Sequence, residues 1–546
     1  MYLYIHHSSP KRAVLSGSLA ARSPNYAPLR YKSSRRAFFH LRASSSRHAP
    51  ACAGRASTKP SSGLHPPVKT QAYISDFLVE EFEMAGQKKI RKKLAIALAA
   101  AFVIAPVAVQ AESTIEVLLE KLRAKGVISE FEYGEFKAMH AAESKEAEKQ
   151  AAETLVGKFK NGFKFETADK QNSIQLEGRV QADYRHYSPG SGTTDMFDIR
   201  RARLGISGKF MGDWEYEVTG DYDATEDEDS GFDTELDTAK IAYAGFKPLK
   251  ITAGKFKMPF SLEEQTSSRF IDFMERSMVN TYGGVGKNLG FMLSGAPFKG
   301  ATLAVAYANT GTGVDVNASD EKETILRGTL NFSELMGSKN TIAHLGLGYT
   351  TGKFVDGDDV DTIRPDNRGE KIFDTGNFST LDDTVDLERK GLELALAYDN
   401  FKLQGEYLTT TFSGDTAGGS FDKDLNTAYV SAMWMITGEK YADSYKGGRF
   451  GGIKPKKDFK NGSGGAWELG VRYSMLDGSD FLTGNGPILN ANYTDKASAW
   501  TVGLKWIPNY NTRVMLNYVK ANFDDTVTAI GSDEQDAFML RTQVFF

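Results

Sequence analysis

From Gly157 to Phe546, apolar and polar residues alternate with a period of two, a pattern that strands satisfy and helices do not. In SIQLEGRVQADYRHY (173–187), Ile174, Leu176, Val180, Ala182 and Tyr184 share one face. Gln175, Glu177, Arg179, Gln181, Asp183 and Arg185 share the other. The pattern recurs at Tyr216/Val218/Tyr222, Leu303/Val305/Tyr307, Leu345/Leu347/Tyr349 and Phe401/Leu403/Tyr407. It continues at Trp467/Leu469/Val471/Tyr473 and Trp500/Val502/Leu504/Trp506. In the final AFMLRTQVFF, Phe538, Leu540, Thr542, Val544 and Phe546 lie on one side. Aromatic residues fall near the ends of these faces.

The connections alternate in length. Short ones at 245–250, 297–301, 398–402 and 508–512 contrast with long polar ones near 223–237, 309–322, 352–385, 412–425, 438–465 and 477–497. A soluble β-sandwich also alternates, but usually with short links throughout. Segments of roughly ten residues with aromatic ends and a short-turn, long-loop rhythm predict an all-β outer-membrane barrel instead. Its apolar faces then meet lipid and its charged faces a watery lumen. Closure is required, because an open edge in lipid leaves backbone groups unpaired. About fourteen strands can be counted, and the even number a bacterial barrel of this length needs points to 16.

What precedes the alternation supports export. KKIRKKLAIALAAAFVIAPVAVQA (88–111) has a basic start, an apolar run from Leu94 to Val109 and a small residue at its end, the layout of a signal peptide. The run is shorter than the ~20 residues that cross a bilayer as a helix. Residues 1–83 are a different text, Ser-, Arg- and Pro-rich, with the only cysteine, Cys52. The expectation is an initiator at Met84, a mature chain from Glu112, and a spurious or disordered extension before them. Residues 1–83 carry twelve Lys+Arg against four acids, and 84–111 carry five Lys+Arg and no acid. The whole-chain charge of −4 therefore leaves −17 for residues 112–546. That part has no cysteine for disulfides or thiolate sites and only His140, His186 and His344, too scattered for a metal cluster. No cofactor and no nucleic-acid partner are expected.

Residues 112–156 differ from the rest. Ile115, Leu118, Leu119 and Leu122, then Val127, Ile128, Phe131 and Phe136, recur at helical spacing with Gly126 as a break. The expectation is a helical, coiled-coil-like periplasmic segment ahead of a barrel at 157–546.

Several stretches go beyond barrel texture. GRVQADY (178–184), IRRARLGISG and DWEYEVTGDYD (within 199–223), TSSRFIDFMERSMVN (266–280), IRP (363–365), ITGEKY and YKGGRFGGIKP (within 436–455), GAWELGVRYS (465–474) and NYVKA (517–521) occur in order. Together they resemble the phosphate-selective porin O and P family. The resemblance implies a homotrimeric 16-stranded porin, three inward-folded loops, and an arginine-lined channel for anions such as phosphate or polyphosphate. Guanidinium groups suit that task, since their planar forks match phosphate oxygens.

The candidate anion-pathway residues are Arg179, Arg201 and Arg203 on polar strand faces, and Arg200, which strict alternation turns to lipid unless a bulge intervenes. Arg364 matches the family's Arg-Pro element. Arg269 and Arg276 lie in the stretch that forms the family's constricting loop, and Asp237 matches an acidic residue near the constriction. Three positions depart from the phosphate-specific pattern. Glu264 and Glu215 stand where those members carry Lys, and Asp366 where a basic residue follows Arg-Pro. With a mature charge of −17, these departures weigh against strict phosphate selectivity; the alternative for each Arg is a salt-bridged side chain without a selectivity role. The acidic run 225–235 reads as a solvated external loop, with divalent-cation binding alongside lipopolysaccharide as the sharper alternative. The basic 446–460 reads either as a concentrator of anions at the mouth or as a partner of neighbouring acidic loops.

Competing functions are a general or differently selective porin, a structural barrel tethered through its helices, and a barrel enzyme. The enzyme is disfavoured, because nucleophile chemistry needs a positioned base and no G-x-S-x-G accompanies the scattered histidines.

Overall fold

The computed structural model describes residues 113–159, 162–188, 195–222, 234–282, 285–310, 321–355 and 363–546. Residues 1–111 and most of the acidic run 225–235 lie outside the described residues. Two helices come first, α1 (Ser113–Ala124) and α2 (Glu130–Glu153), with Gly126 at φ +68° between them. A reciprocal capping box starts α2. The Ser129 hydroxyl accepts from the Glu132 N–H at 3.2 Å, and the Glu132 carboxylate accepts from the Ser129 N–H at 2.8 Å.

Strands follow. A hairpin of β1 (Leu155–Phe159) and β2 (Phe163–Thr167) precedes β3 (Ser173–Ser188), β4 (Met196–Phe210), β5 (Trp214–Asp221), β6 (Glu235–Tyr243) and β7 (Leu249–Lys257). Next come β8 (Lys287–Gly295), β9 (Ala301–Asn309), β10 (Lys322–Asn331), β11 (Thr341–Val355) and β12 (Thr384–Tyr398). The last are β13 (Phe401–Thr416), β14 (Gly419–Met435), β15 (Ala466–Asp477), β16 (Lys496–Asn509), β17 (Thr512–Val527) and β18 (Ser532–Phe545). From β3 to β18 each strand pairs antiparallel with the next, and β18 returns to β3, from Asp536↔Ser188 to Phe545↔Arg179. The result is a closed 16-stranded barrel.

The seam has an extra part. Phe546 exchanges both backbone hydrogen bonds with Gly178, each at 3.0 Å. Beyond it β2 takes over the lane of β18, pairing Phe163↔Leu176 to Glu166↔Ser173. Gly178 has no side chain for a physical reason: a Cβ there would lie 2.2 Å from the Phe546 ring.

The outward face fits lipid only over part of each long strand. On β13, Phe401, Leu403 and Tyr407 point outward and are 47–55% exposed, while Lys402, Gln404 and Glu406 are buried on the inside. Past Tyr407 the polarity inverts: Thr409, Thr411 and Ser413 face out, and Leu408 and Phe412 are buried within. Two aromatic belts bound the apolar band. Phe401 stacks on Trp434 and Trp467 on Trp506 at the short-turn end, and Tyr473 packs on Trp500 about six residues, or ~20 Å along the strand, further up. Above the band the strands project with a polar exterior around an apolar core that includes Phe354, Phe373, Phe378, Phe412 and Phe481.

This inversion corrects two expectations. The rule of apolar outside and charged inside holds only within the band. The supposed loop 412–425 is the tip of the β13–β14 hairpin, turned by Ala417 and Gly418 alone.

Three connections fold inward: the described parts of 258–286 and of 356–383, and 436–465. Met258, Leu262, Met274 and Met278 in the first are fully buried, as are Ile363 and Ile372 in the second. The third corrects the placing of 438–465 among the external loops, because it leaves from the short-turn end. Tyr441 and Phe450 bury it against Ile342, Ala397, Met433 and Ile507 of the wall. Arg327 of β10 donates to the Gly448 carbonyl at 2.9 Å, and His344 of β11 meets the Tyr445 hydroxyl at 2.6 Å.

Candidate functional site

The richest set of guanidinium groups lies where β3, β4 and β18 face connection 258–286. The β3–β4 ladder places Arg179 opposite Arg203 and Gln181 opposite Arg201. Between Gln181 and Ala182 the register jumps from Arg201 to Ile199, so Arg200 has no opposing residue. That is a bulge, and it lets consecutive arginines both turn inward.

Their surroundings differ. Arg201 donates to the Gln181 side-chain oxygen at 2.9 Å, and Arg179 to the Ser268 hydroxyl at 2.7 Å. Arg179 and Arg201 are 4% and 7% exposed, and the Nε of each has no hydrogen-bond partner. Among the described residues neither has a carboxylate within ion-pair distance. Arg203 is paired twice, with Asp221 at 2.5 Å and Asp237 at 2.6 Å, and Lys287 shares Asp237. Arg269 pairs with Glu177 at 2.9 Å.

Arg200 meets Glu275 of the inward connection at 3.2 Å. The same carboxylate oxygen takes Arg541 at 2.7 Å and lies 3.6 Å from Arg185. Arg541 also grips both oxygens of Asp183 at 2.6 Å. Burial raises the Glu275 carboxyl, but Arg200, Arg541, Arg368 and Arg185 together outweigh it and hold the group well below the usual carboxylate range.

The other candidates are spread more widely. Arg276 braces its own connection: it donates to the carbonyls of Glu263 at 3.2 Å and Thr266 at 3.1 Å and pairs with Glu264 at 3.3 Å. Glu264 also holds Lys257 at 3.1 Å. Arg364 donates to the Gly369 carbonyl at 2.6 Å within its own connection. Glu215 lies near the short-turn end of β5, paired with Lys250 and, at 3.8 Å, with Lys209. Asp366 is a fully buried cross-link. It accepts from the Arg472 Nε at 2.9 Å, pairs with the same guanidinium through Nη2 at 2.8 Å, and accepts from the Ser474 hydroxyl at 2.7 Å and the Met278 N–H at 3.0 Å.

The structure thus gathers Arg179, Arg200, Arg201, Arg203, Arg269 and Asp237, and leaves Arg276, Glu264 and Asp366 in bracing pairs, Arg364 on a backbone carbonyl and Glu215 paired near the short-turn end. Sequence reasoning missed Arg185, Glu275, Arg472 and Arg541. Alternation alone put Arg185 and Arg541 on inward faces. Nothing local marked Glu275, whose partners come from strands hundreds of residues apart.

A closed antiparallel barrel with an apolar band, two aromatic belts and three segments folded into its interior has the architecture of an outer-membrane porin. Residues 174–546 match the profile of the phosphate-selective porin O and P family, and the chain belongs to that family. It is similar to Porin O of Pseudomonas aeruginosa, 28% identical over 427 residues that cover 72% of this chain and 92% of the relative. Among solved structures it matches the anion-selective porin from Comamonas acidovorans at 14% identity and a TM-score of 0.44, over 69% of this chain and 100% of that one. The outer-membrane channel DcaP of Acinetobacter baumannii matches at 13% identity and a TM-score of 0.44, over 69% and 97%.

Proposed function

We propose that this porin passes small anions, phosphate among them, along the inward wall of β3 and β4, as a homotrimer. The observation that carries the reading is the adjacency of Arg179 and Arg201, buried guanidinium groups without a carboxylate partner among the described residues. A cation in that state attracts a passing anion, and Arg200 and Arg203 flank it as exchangeable neighbours. Asp237 and Glu275 limit the field, so the anion is held weakly enough to move on.

A general or differently selective porin is the second reading. The pairing of Arg200, Arg203, Arg269 and Arg276 with acids favours it. Titrating phosphate against chloride conductance in a planar bilayer separates the two. Saturable block, lost in an Arg179→Ala, Arg201→Ala double variant, is the expected result. Chloride current indifferent to phosphate would leave the general porin.

A further inference from the structure

Arg513 of β17 is a buried cation outside the cluster described above. It is 2% exposed and lies between aromatic rings, 4.9 Å from the centre of Phe270 and 5.0 Å from that of Phe545. Its Nη1 donates to the Tyr510 carbonyl at 3.2 Å, and its Nη2 has no hydrogen-bond partner. Among the described residues no carboxylate lies within ion-pair distance of it.

Arg513 lines a cavity of about 20 Å³ together with Lys402, Lys505, Asp272, Glu468 and Phe450. The other charges there cancel. Lys402 holds both oxygens of Asp272 at 2.6 and 2.7 Å, and Lys505 holds Glu468 at 2.6 Å. Lys505 also donates to the Ile271 carbonyl at 3.0 Å, and the Tyr441 hydroxyl donates to Glu468 at 2.7 Å. The lining therefore carries one net positive charge, that of Arg513.

A charge taken out of water without an ion partner is costly, and a well-placed counter-ion offsets part of that cost. A water needs roughly 10–15 Å³ of cavity, so a volume of about 20 Å³ suits one small particle.

We propose that this cavity is a resident site for one small monovalent anion, of the chloride class, bound by Arg513 with Lys402 and Lys505 as neighbours. It lies between the inward connections 258–286, through Phe270 and Asp272, and 436–465, through Tyr441 and Phe450. The ion therefore fastens both to the wall. The site stands whether or not the pore prefers anions, since nothing in it depends on transit past Arg179 and Arg201.

Crystals of the full barrel in bromide test it by anomalous diffraction. A peak in contact with the Arg513 guanidinium is expected, and its disappearance in Arg513→Gln. Bromide elsewhere on the inner wall but none in this cavity overturns the proposal, as does an undiminished peak in the variant. If Arg513→Gln does not fold, the wild-type crystal still decides. Thermal unfolding gives a second reading: the wild type melts higher in chloride than in gluconate at equal ionic strength, and the variant does not. A difference that survives in the variant also overturns the assignment.

Discussion

Arg179 and Arg201 owe their proposed role to what stands beside them rather than to being arginine. Each gives one hydrogen bond to a neutral oxygen, whereas Arg203 is divided between two carboxylates. A hydrogen bond to a charged group contributes about 1.5–3 kcal/mol. Arg201→Ala should therefore raise the half-blocking phosphate concentration by about ten- to a hundredfold, read as block of chloride current. Arg203→Ala should reduce anion preference through another route, because Asp221 loses its partner and Asp237 keeps only Lys287. Glu275→Gln should act in the opposite sense and increase anion preference, since it frees Arg200 and Arg541 from a shared negative charge. The Glu275 clamp also has a defined pH dependence. A carboxyl depressed in the folded state adds stability above its ordinary value of 4.5 and loses it as pH falls through the lower folded value. The clamp should hold from neutral pH to about 4.5, seen as unchanged open-channel noise. Noise that rises on mild acidification would contradict this.

Connections and strands show the same economy. Asp366, a departure from the phosphate-specific pattern, ties three elements together: its own connection, the Met278 N–H of the neighbouring one, and Arg472 on β15. Arg472 in turn reaches Glu263 at 3.1 Å and lies over the Phe273 ring at 4.8 Å. Breaking a buried pair by removing one charge costs about 3–5 kcal/mol. Asp366→Asn should accordingly lower the melting temperature of the folded barrel and add flicker to single-channel records. An unaltered melt with steady current would show that the cross-link holds nothing. The inversion of polarity along β13 makes a second prediction. Leu403→Lys puts a charge in the lipid band and should cost about 2–4 kcal/mol in vesicle refolding, whereas Thr411→Lys, four outward positions higher, should cost close to nothing. Equal costs would mean that the band extends over the whole strand.

At the scale of the molecule, what could be read in advance followed from range. Period-two alternation is local, so Trp467 to Tyr473 declared an outward face and its two aromatic ends, and the even strand count followed from closure. Arg200 was readable as a conflict, a family-matched inward residue at an outward position, and the bulge resolves it. The switch at Tyr407–Leu408 was not readable, because an alternating strand keeps its period when its polarity inverts. That is why the 412–425 hairpin passed for a loop. The charge partners were hidden for a different reason: Asp183 and Arg541 meet across the closing seam, and Glu275 gathers arginines from three strands. Which guanidinium groups are neutralised is a property of the closed barrel, and in the function proposed above it sets the sign of the pore. The zero-current potential of the reconstituted wild type across a KCl gradient tests that most directly. A potential of the sign set by chloride, reduced in Arg179→Ala, Arg201→Ala, is the predicted result. A potential of the sign set by potassium would contradict it.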